Sequence, residues 1–430
     1  MLKKVRLFVV VFLVIGSGFG LRAQEPLNTR TVDRATYEHF LKGQWKSLIN
    51  IAEKAADHGI DFYYLQVRTG AAYYYLKKYR KAIFFLEKAY RTDPSNEYVK
   101  ELLYYSYLLG GRTADARQLA YFGSEKFKEK IGFDGNMPVV SGLSLDLRFE
   151  NNDDYEGEWS NDSMLTQSVR KDYQYFGVGM EHLFAKSRLY LNYGRVLKKN
   201  KIFYPDSTGN NYFVQRSFNQ QVVQHQFYVN VTHRVALGLG LSTSFNWLLL
   251  KADFDSTGIK QTASYFTGFA GLRKDVGNFK LGVTASVSDL SDKWQFQPGL
   301  EATWFPLSNT DLYFYSAIYY PMEMENLSVS KFVFKPSMGF RLFTFYLEPS
   351  YTFGDLYNFL EADGLIVNND NDLIRNRLDL FLYGFILKGH LYVYVKYQHY
   401  NKVNRYWLAD KEFETTYGNN AYTFGVSWRF

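Results

Sequence analysis

From residue 138 to the last residue, the chain alternates apolar and polar positions with a period of two. Around Phe279 the apolar set is Phe279, Leu281, Val283, Ala285 and Val287, and Lys280, Gly282, Thr284, Ser286 and Ser288 stand between them. The same division separates Leu237, Leu239, Leu241, Phe245, Trp247 and Leu249 from Gly238, Gly240, Ser242, Ser244 and Asn246. It recurs where Trp294, Phe296, Leu300 and Trp304 stand against Gln295, Gln297, Gly299 and Thr303. Strands, whose successive side chains point to opposite faces, produce this pattern. Alternation alone also fits a water-soluble sandwich, so length has to decide. Many runs extend over 12 to 17 residues, whereas strands of soluble proteins cluster near five or six and a tilted membrane-crossing strand needs about nine to eleven. Fourteen strands are predicted, starting near residues 138, 170, 187, 216, 235, 260, 278, 292, 310, 329, 343, 371, 389 and 420.

The connections support a barrel. If the first strand leaves a periplasmic N-terminal domain and runs outward, even-to-odd connections are internal. Those are short: 185–186, 234–235, 275–278, 306–309, 342–343 and 388–389. The external set holds the long polar segments 151–168, 204–215, 253–259, 357–370 and 403–419, and only the connections near Asp289 and Glu323 are short on that side. An even strand number returns the C-terminus to the periplasm.

Before residue 131 the period is helical, and the sequence repeats every 34 residues. In the unit starting at Tyr63, Gly70, Tyr73, Ala82, Leu86, Ala89 and Pro94 fall at positions 8, 11, 20, 24, 27 and 32. A shift of 34 gives Leu48, Ala52 and Ala55 upstream, and Tyr107, Ala116 and Ala120 downstream. The small residues allow close helix approach and Pro94 stops a helix. This spacing resembles a tetratricopeptide repeat, with three repeats in residues 29–130 and a breaker-rich linker at 131–137. The basic cluster Lys77, Lys78, Arg80 and Lys81 is a candidate docking patch for a protein or an anionic polymer, with a solvated turn as the plainer reading.

Composition narrows the function. There is no Cys, which excludes disulfides, thiolate metal sites and thiol nucleophiles. The chain has 37 Tyr, 37 Phe and 7 Trp, an excess that aromatic belts at membrane interfaces would explain. Residues 1–23 carry Lys3, Lys4 and Arg6, an apolar stretch over 7–15 and a small-residue ending at Ala23, the layout of a secretory signal peptide. With Arg22, these bases supply four of the seven net positive charges, so the charge makes no case for nucleic acid.

The C-terminal run Tyr422, Phe424, Val426, Trp428 and Phe430 alternates with small polar residues and Arg429. It resembles the terminal signal by which outer-membrane barrels are recognised for insertion. Turning each strand's apolar set to lipid directs Asp146, Arg148, Glu181, Lys280, Glu301, Lys335, Arg341, Glu348, Asp379, Lys396 and Arg429 into the lumen, together with Tyr173, Tyr175, Tyr346, Tyr392 and Tyr394. About fourteen strands enclose more space than side chains fill, which leaves an aqueous lumen or an inserted loop. No G-x-S-x-G or H-E-x-x-H occurs, and the barrel histidines His182, His225, His233, His390 and His399 fall on different strands. No catalytic residue, metal or cofactor is predicted. Residues 368–372, Asn-Asn-Asp-Asn-Asp, offer oxygen ligands for Ca²⁺ but lack the glycine and distal glutamate of an EF-hand loop.

The sequence therefore predicts an α + β multidomain protein. N-terminal α-helical tetratricopeptide repeats precede a transmembrane antiparallel β-barrel of about 14 strands over 138–430. The layout resembles tetratricopeptide-containing bacterial outer-membrane β-barrel proteins, YaiO-like in outline, and is similar to outer-membrane exporters of exopolysaccharide. That resemblance implies a passive conduit or docking port for polysaccharide or another envelope polymer, with outer-membrane lipid around the barrel and a periplasmic protein partner on the repeats. The rival expectation is a non-conducting assembly or anchoring protein.

Overall fold

The computed structural model describes residues 27–135, 138–152, 165–207, 213–255, 259–326, 330–370, 372–408 and 411–430. The predicted leader lies outside the described residues, as do residues 136–137 of the linker and much of segments 151–168 and 204–215.

Seven helices come first: α1 (Thr29–Leu41), α2 (Trp45–Asp57), α3 (Tyr63–Tyr75), α4 (Tyr79–Thr92), α5 (Glu97–Leu109), α6 (Thr113–Tyr121) and α7 (Glu125–Ile131). The starts of α1, α3 and α5 are 34 residues apart, and so are those of α2, α4 and α6. Side chains fix several starts. Asn28 accepts from Thr31 N, Asn96 from Tyr98 N and Val99 N, and Ser124 from Phe127 N, which satisfies amides that a helix leaves unpaired. The small positions bury fully: Ala55, Ala82, Ala89 and Ala120 are closed to solvent. At Gly70 a Cβ would lie 2.7 Å from Leu86 Cγ, so α3 and α4 meet closer than any side chain there permits.

Fourteen long strands follow: β1 (Gly142–Asn151), β2 (Leu165–Leu183), β3 (Ser187–Ser207), β4 (Phe213–Ala236), β5 (Leu239–Phe254), β6 (Lys260–Val276), β7 (Phe279–Ser288), β8 (Gln295–Trp304), β9 (Leu312–Tyr319), β10 (Val333–Leu342), β11 (Phe345–Leu356), β12 (Leu373–Ile386), β13 (Leu391–Leu408) and β14 (Lys411–Arg429). Each pairs antiparallel with the next, and β14 pairs with β1 from Gly142↔Arg429 to Asn151↔Asn420, so the sheet is closed. Tyr422, Phe424, Val426 and Trp428 oppose Phe149, Leu147, Leu145 and Leu143 at this seam. The terminal alternation is thus the outward face of the closing strand.

The barrel is apolar outside and polar inside. Phe279, Leu281, Val283 and Val287 of β7 are exposed, while Thr284, Ser286 and Ser288 between them are buried. Across the barrel, Gln224, Asn246, Arg377, Asp379, Gln398 and Lys402 are almost wholly buried as well. Only surroundings of hydrocarbon make this inversion favourable, and a closed barrel leaves no unpaired strand edge in them. Trp304 and Trp428 sit exposed at the end where the helices attach, Trp294 and Trp407 toward the opposite end.

Two segments differ wholly from the loops read in the sequence, and a third, 204–215, in part: β3 runs to Ser207 and β4 starts at Phe213, paired through Ser207↔Phe213. Residues 403–419 are not a loop: β13 runs to Leu408 and β14 starts at Lys411, paired through Leu408↔Lys411. Strand that projects past hydrocarbon carries polar residues on both faces, so its alternation fades while its pairing persists. The second is 357–370, which does not stay outside. It folds back between the walls as a small hairpin, Phe359–Glu361 paired with Ile366–Asn368. The seven residues from 357 to 363 span about 23 Å when extended, enough to carry the turn from the far end nearly to the helical end. Where β11 bends toward it, Gly354 has φ +108° and a Cβ would lie 2.1 Å from the Phe332 carbonyl oxygen, so only glycine fits.

Candidate functional site

The hairpin brings acids to a wall rich in cations. Arg377, its side chain 1 % exposed, holds Glu361 through both carboxylate oxygens at 2.6 and 2.7 Å. Lys335 reaches the same carboxylate at 3.2 Å. At the tip, Asp363 receives Arg273 Nη2 at 2.7 Å and the Ser242 hydroxyl at 2.8 Å, and its carbonyl accepts from Tyr228 at 3.0 Å. At the return, Asp370 meets Lys198 at 3.3 Å, Lys402 at 3.2 Å and Arg170. Gln297 bonds both backbone groups of Leu360, at 2.9 and 3.1 Å. Apolar packing adds to this: Phe359 joins Val333, Leu356, Ile374 and Tyr400 in one buried cluster. Residues 368–372 are accordingly neither a solvated loop nor an open cation cage. Asn369 bonds Gln224 and Lys198, and Asp372 bonds Asn404 and Tyr417; Asn371 lies outside the described residues.

Around the hairpin the lumen keeps three adjoining cavities of about 450, 350 and 330 Å³. The first, toward the helical end, is lined by Asp146, Glu181, Arg188, Tyr190, Tyr392, Tyr394 and Arg429. The second shares Asp146 and Tyr394 with it and adds Arg148, Glu348, Lys335, Asp379 and Lys396. The third holds Glu301 and again Lys335 and Lys396. Lys280 faces a further crevice under the helices. Arg341 pairs with Asp311 at 3.0 Å near the β10–β11 turn and borders none of these spaces. The inward charges are mutually engaged: Arg148 with Glu150 at 2.6 Å, Glu181 with Arg188 at 2.6 Å, Asp379 with Lys396 at 3.0 Å. Inward tyrosines lie flat over inward glycines; a Cβ on Gly425 would meet Tyr394 at 2.0 Å, and one on Gly339 would meet Tyr313 at 2.0 Å. Tyr faces thus line the wall without closing it.

Several residues of this network escape the sequence reading. Glu361, Asp363 and Asp370 belong to a segment that reads as an external loop. Glu150, Lys198, Arg377 and Lys402 sit on the inward parity of their strands, and extending that parity toward the far end would have found them; Arg170 is off that parity and turns inward through a β-bulge between Arg170 and Asp172.

At the other end, the helices dock on the barrel's short turns. Arg80, its side chain 1 % exposed, pairs with Asp275 at 2.7 Å and donates to the carbonyls of Gly277 at 2.8 Å, Phe279 at 3.0 Å and Gly110 at 2.9 Å. Its ring neighbour is Phe305, 4.3 Å below the guanidinium. Burial pulls the Arg80 pKa down, against the opposing pull of Asp275. Asp115, on α6, accepts from Arg112 at 2.6 Å, from Arg234 of β4 and from Gly238 N at 3.3 Å. Burial alone would lower the Arg112 pKa, but Asp115, Tyr107 and Glu87 outweigh it and raise it. Of the candidate patch, Arg80 is therefore enclosed within the chain. Lys78 and Lys81 are exposed, and Lys77 is exposed while its carbonyl accepts from Asn309 at 3.1 Å.

The histidines make local bonds. His225 lies 2.8 Å from the Tyr193 hydroxyl, His399 2.9 Å from Asn420, His390 3.0 Å from the Arg429 carbonyl, and His182 contacts the Val139 carbonyl. Ser187 and His233 stand 2.8 Å apart on an exposed turn. No carboxylate among the described residues bonds the second ring nitrogen of His233. No group of three or more potential metal ligands occurs among the described residues.

No protein-family model matches the chain, and no curated protein matches it in sequence. Solved structures with a similar outline include the toluene transporter TodX of P. putida, at 8 % identity over 73 % of this chain and 94 % of that one, TM-score 0.44. A bacterial polysaccharide outer membrane secretin is 13 % identical over 68 % of this chain and all of its own, TM-score 0.35. The KdgM porin is 14 % identical over 50 % of this chain and 97 % of its own, TM-score 0.28. All three scores lie below 0.5, and the account of function rests on the geometry of this chain.

Proposed function

We propose that this chain is a passive outer-membrane conduit for an envelope polymer, polysaccharide first among them, closed at rest by the 357–372 hairpin. The helical end lies in the periplasm, and the helices act as tetratricopeptide-like repeats that bring partner machinery or polymer to the mouth. The supporting observation is that adjoining cavities of about 450, 350 and 330 Å³ run beside a plug held without covalent bonds. Tyrosine faces and paired charges along them suit a hydrated, sugar-bearing chain, since rings stack on sugars while polar groups replace lost water contacts. A second reading, a non-conducting anchor, draws support from the number of ion pairs that fasten the hairpin at its tip, middle and return.

Planar-bilayer recording separates the two. Replacing residues 358–369 by a short Gly-Ser turn is expected to convert a low or intermittent conductance into a steady, severalfold larger one. A deletion variant that inserts and remains silent contradicts the conduit reading and leaves the anchor.

A further inference from the structure

Between α6 and the barrel rim lies a crevice of about 180 Å³. Arg112, Arg117, Lys186, Arg234, Arg273 and Lys280 border it, against two acids, Asp115 and Asp275. Both acids are taken: Asp115 holds Arg112 and Arg234, and Asp275 holds Arg80. Arg273 is shared by Glu301 and Asp363. Arg117, Lys186 and Lys280 remain with no acidic partner within bonding distance among the described residues. The Nε of Arg117 is buried without a hydrogen-bond partner. Burial lowers its pKa, with Arg188 and Arg429 acting the same way and Glu181 opposing. The first turn of α6 opens into the same space through Thr113 and Ala114; no side chain caps it, and the acid it carries, Asp115, is held by Arg112 and Arg234.

Arg117 is half-buried with its Nε unpaired, and a guanidinium taken out of water without a bonded acid is costly; Lys280, half-buried, and Lys186, exposed, add positive charge to the same space, which a helix start beside them reinforces toward an anion. We propose that this crevice binds an oxyanion, a carboxylate or phosphate group, with Arg117 and Lys280 as its principal cationic contacts. Ser242 and Arg273 border the crevice and also hold Asp363 of the plug. A bound anion and the hairpin tip therefore compete for Arg273, so anion at the periplasmic mouth loosens the plug. That a passing polymer supplies the anion rests on the conduit reading; the site itself does not.

The test is calorimetric titration of the full-length protein in detergent with inorganic phosphate, with a glucuronate oligomer and with a neutral glucose oligomer. Phosphate or glucuronate is expected to bind and the neutral oligomer not to. Arg117→Gln and Lys280→Gln should each weaken binding about tenfold, the order of one charge-assisted hydrogen bond. Asp363→Asn, which frees Arg273, should tighten it, and Lys251→Gln, at an exposed lysine of the far end, should change nothing. Binding of phosphate alone assigns the site to a small free oxyanion, and stronger binding of the uronate oligomer assigns it to a polymer; both support the inference. No binding of either, or binding indifferent to Arg117, Lys280 and Asp363, overturns it. Bilayer recording on the same samples keeps the two proposals apart: conductance without anion binding overturns only this inference, and binding without conductance only the conduit.

Discussion

Arg377 and Glu361 meet inside the barrel, almost out of reach of bulk water. The guanidinium is 1 % exposed and the carboxylate 8 %, and their two-pronged contact is further held by Lys335 on the acid and Asp379 on the base. Removing one member of a buried pair costs about 3–5 kcal/mol where the remaining charge is left unpaired; here Arg377 keeps Asp379 at 2.8 Å, so the loss falls on the hairpin's hold rather than on the wall. Glu361→Gln should therefore free the hairpin while the wall stays intact. Hydrogen exchange by mass spectrometry is expected to speed up over residues 358–368 and to stay slow in β6 and β7. Equal protection of the hairpin in variant and parent would mean that this pair does not hold the plug.

At the scale of elements, the helical unit depends on its dock. Arg80 supplies one ion pair and three carbonyl contacts across or beside the joint, and Arg80→Ala leaves those carbonyls and Asp275 without their donor. Limited proteolysis is expected to cut the 131–141 connector of this variant several times faster than the parent, with the barrel fragment resistant; unchanged cleavage would place the holding force elsewhere. The elements themselves were legible to unequal degrees. Fourteen strands and short helical-end turns could be read because hydrocarbon on one face and a lumen on the other impose period two. The far halves of β13 and β14 were hidden because water wets both faces there. The plug was hidden for another reason: Asn, Asp, Glu and Gly in 357–372 look the same in a solvated loop as in a lumen. One signal was present. That stretch carries Glu361, Asp363, Asp370 and Asp372 and no base, whereas the inward parity of the strands, beside acids such as Asp146, Glu150 and Asp379, carries Arg148, Lys198, Arg273, Lys335, Arg377, Lys396 and Lys402. Acid matched to cation would have turned it inward. The crevice cations Arg117 and Lys280 lie far apart in sequence, and only the docked helices bring them together.

For the whole molecule, the decisive property is the inversion of inside and outside, since plug, mouth and dock all take their positions from it. The chain contains no cysteine, so single cysteines introduced along β7 can carry a nitroxide with no background labelling. Power-saturation spectroscopy in liposomes, with oxygen as the lipid-soluble relaxant and a nickel chelate as the water-soluble one, reads each position in turn. Oxygen should dominate at 279, 281, 283 and 287, and the nickel chelate or neither relaxant at 280, 282, 284, 286 and 288, in step with the burial along this strand. Equal access of the chelate to both sets, or a period other than two, would contradict the barrel and everything placed within it.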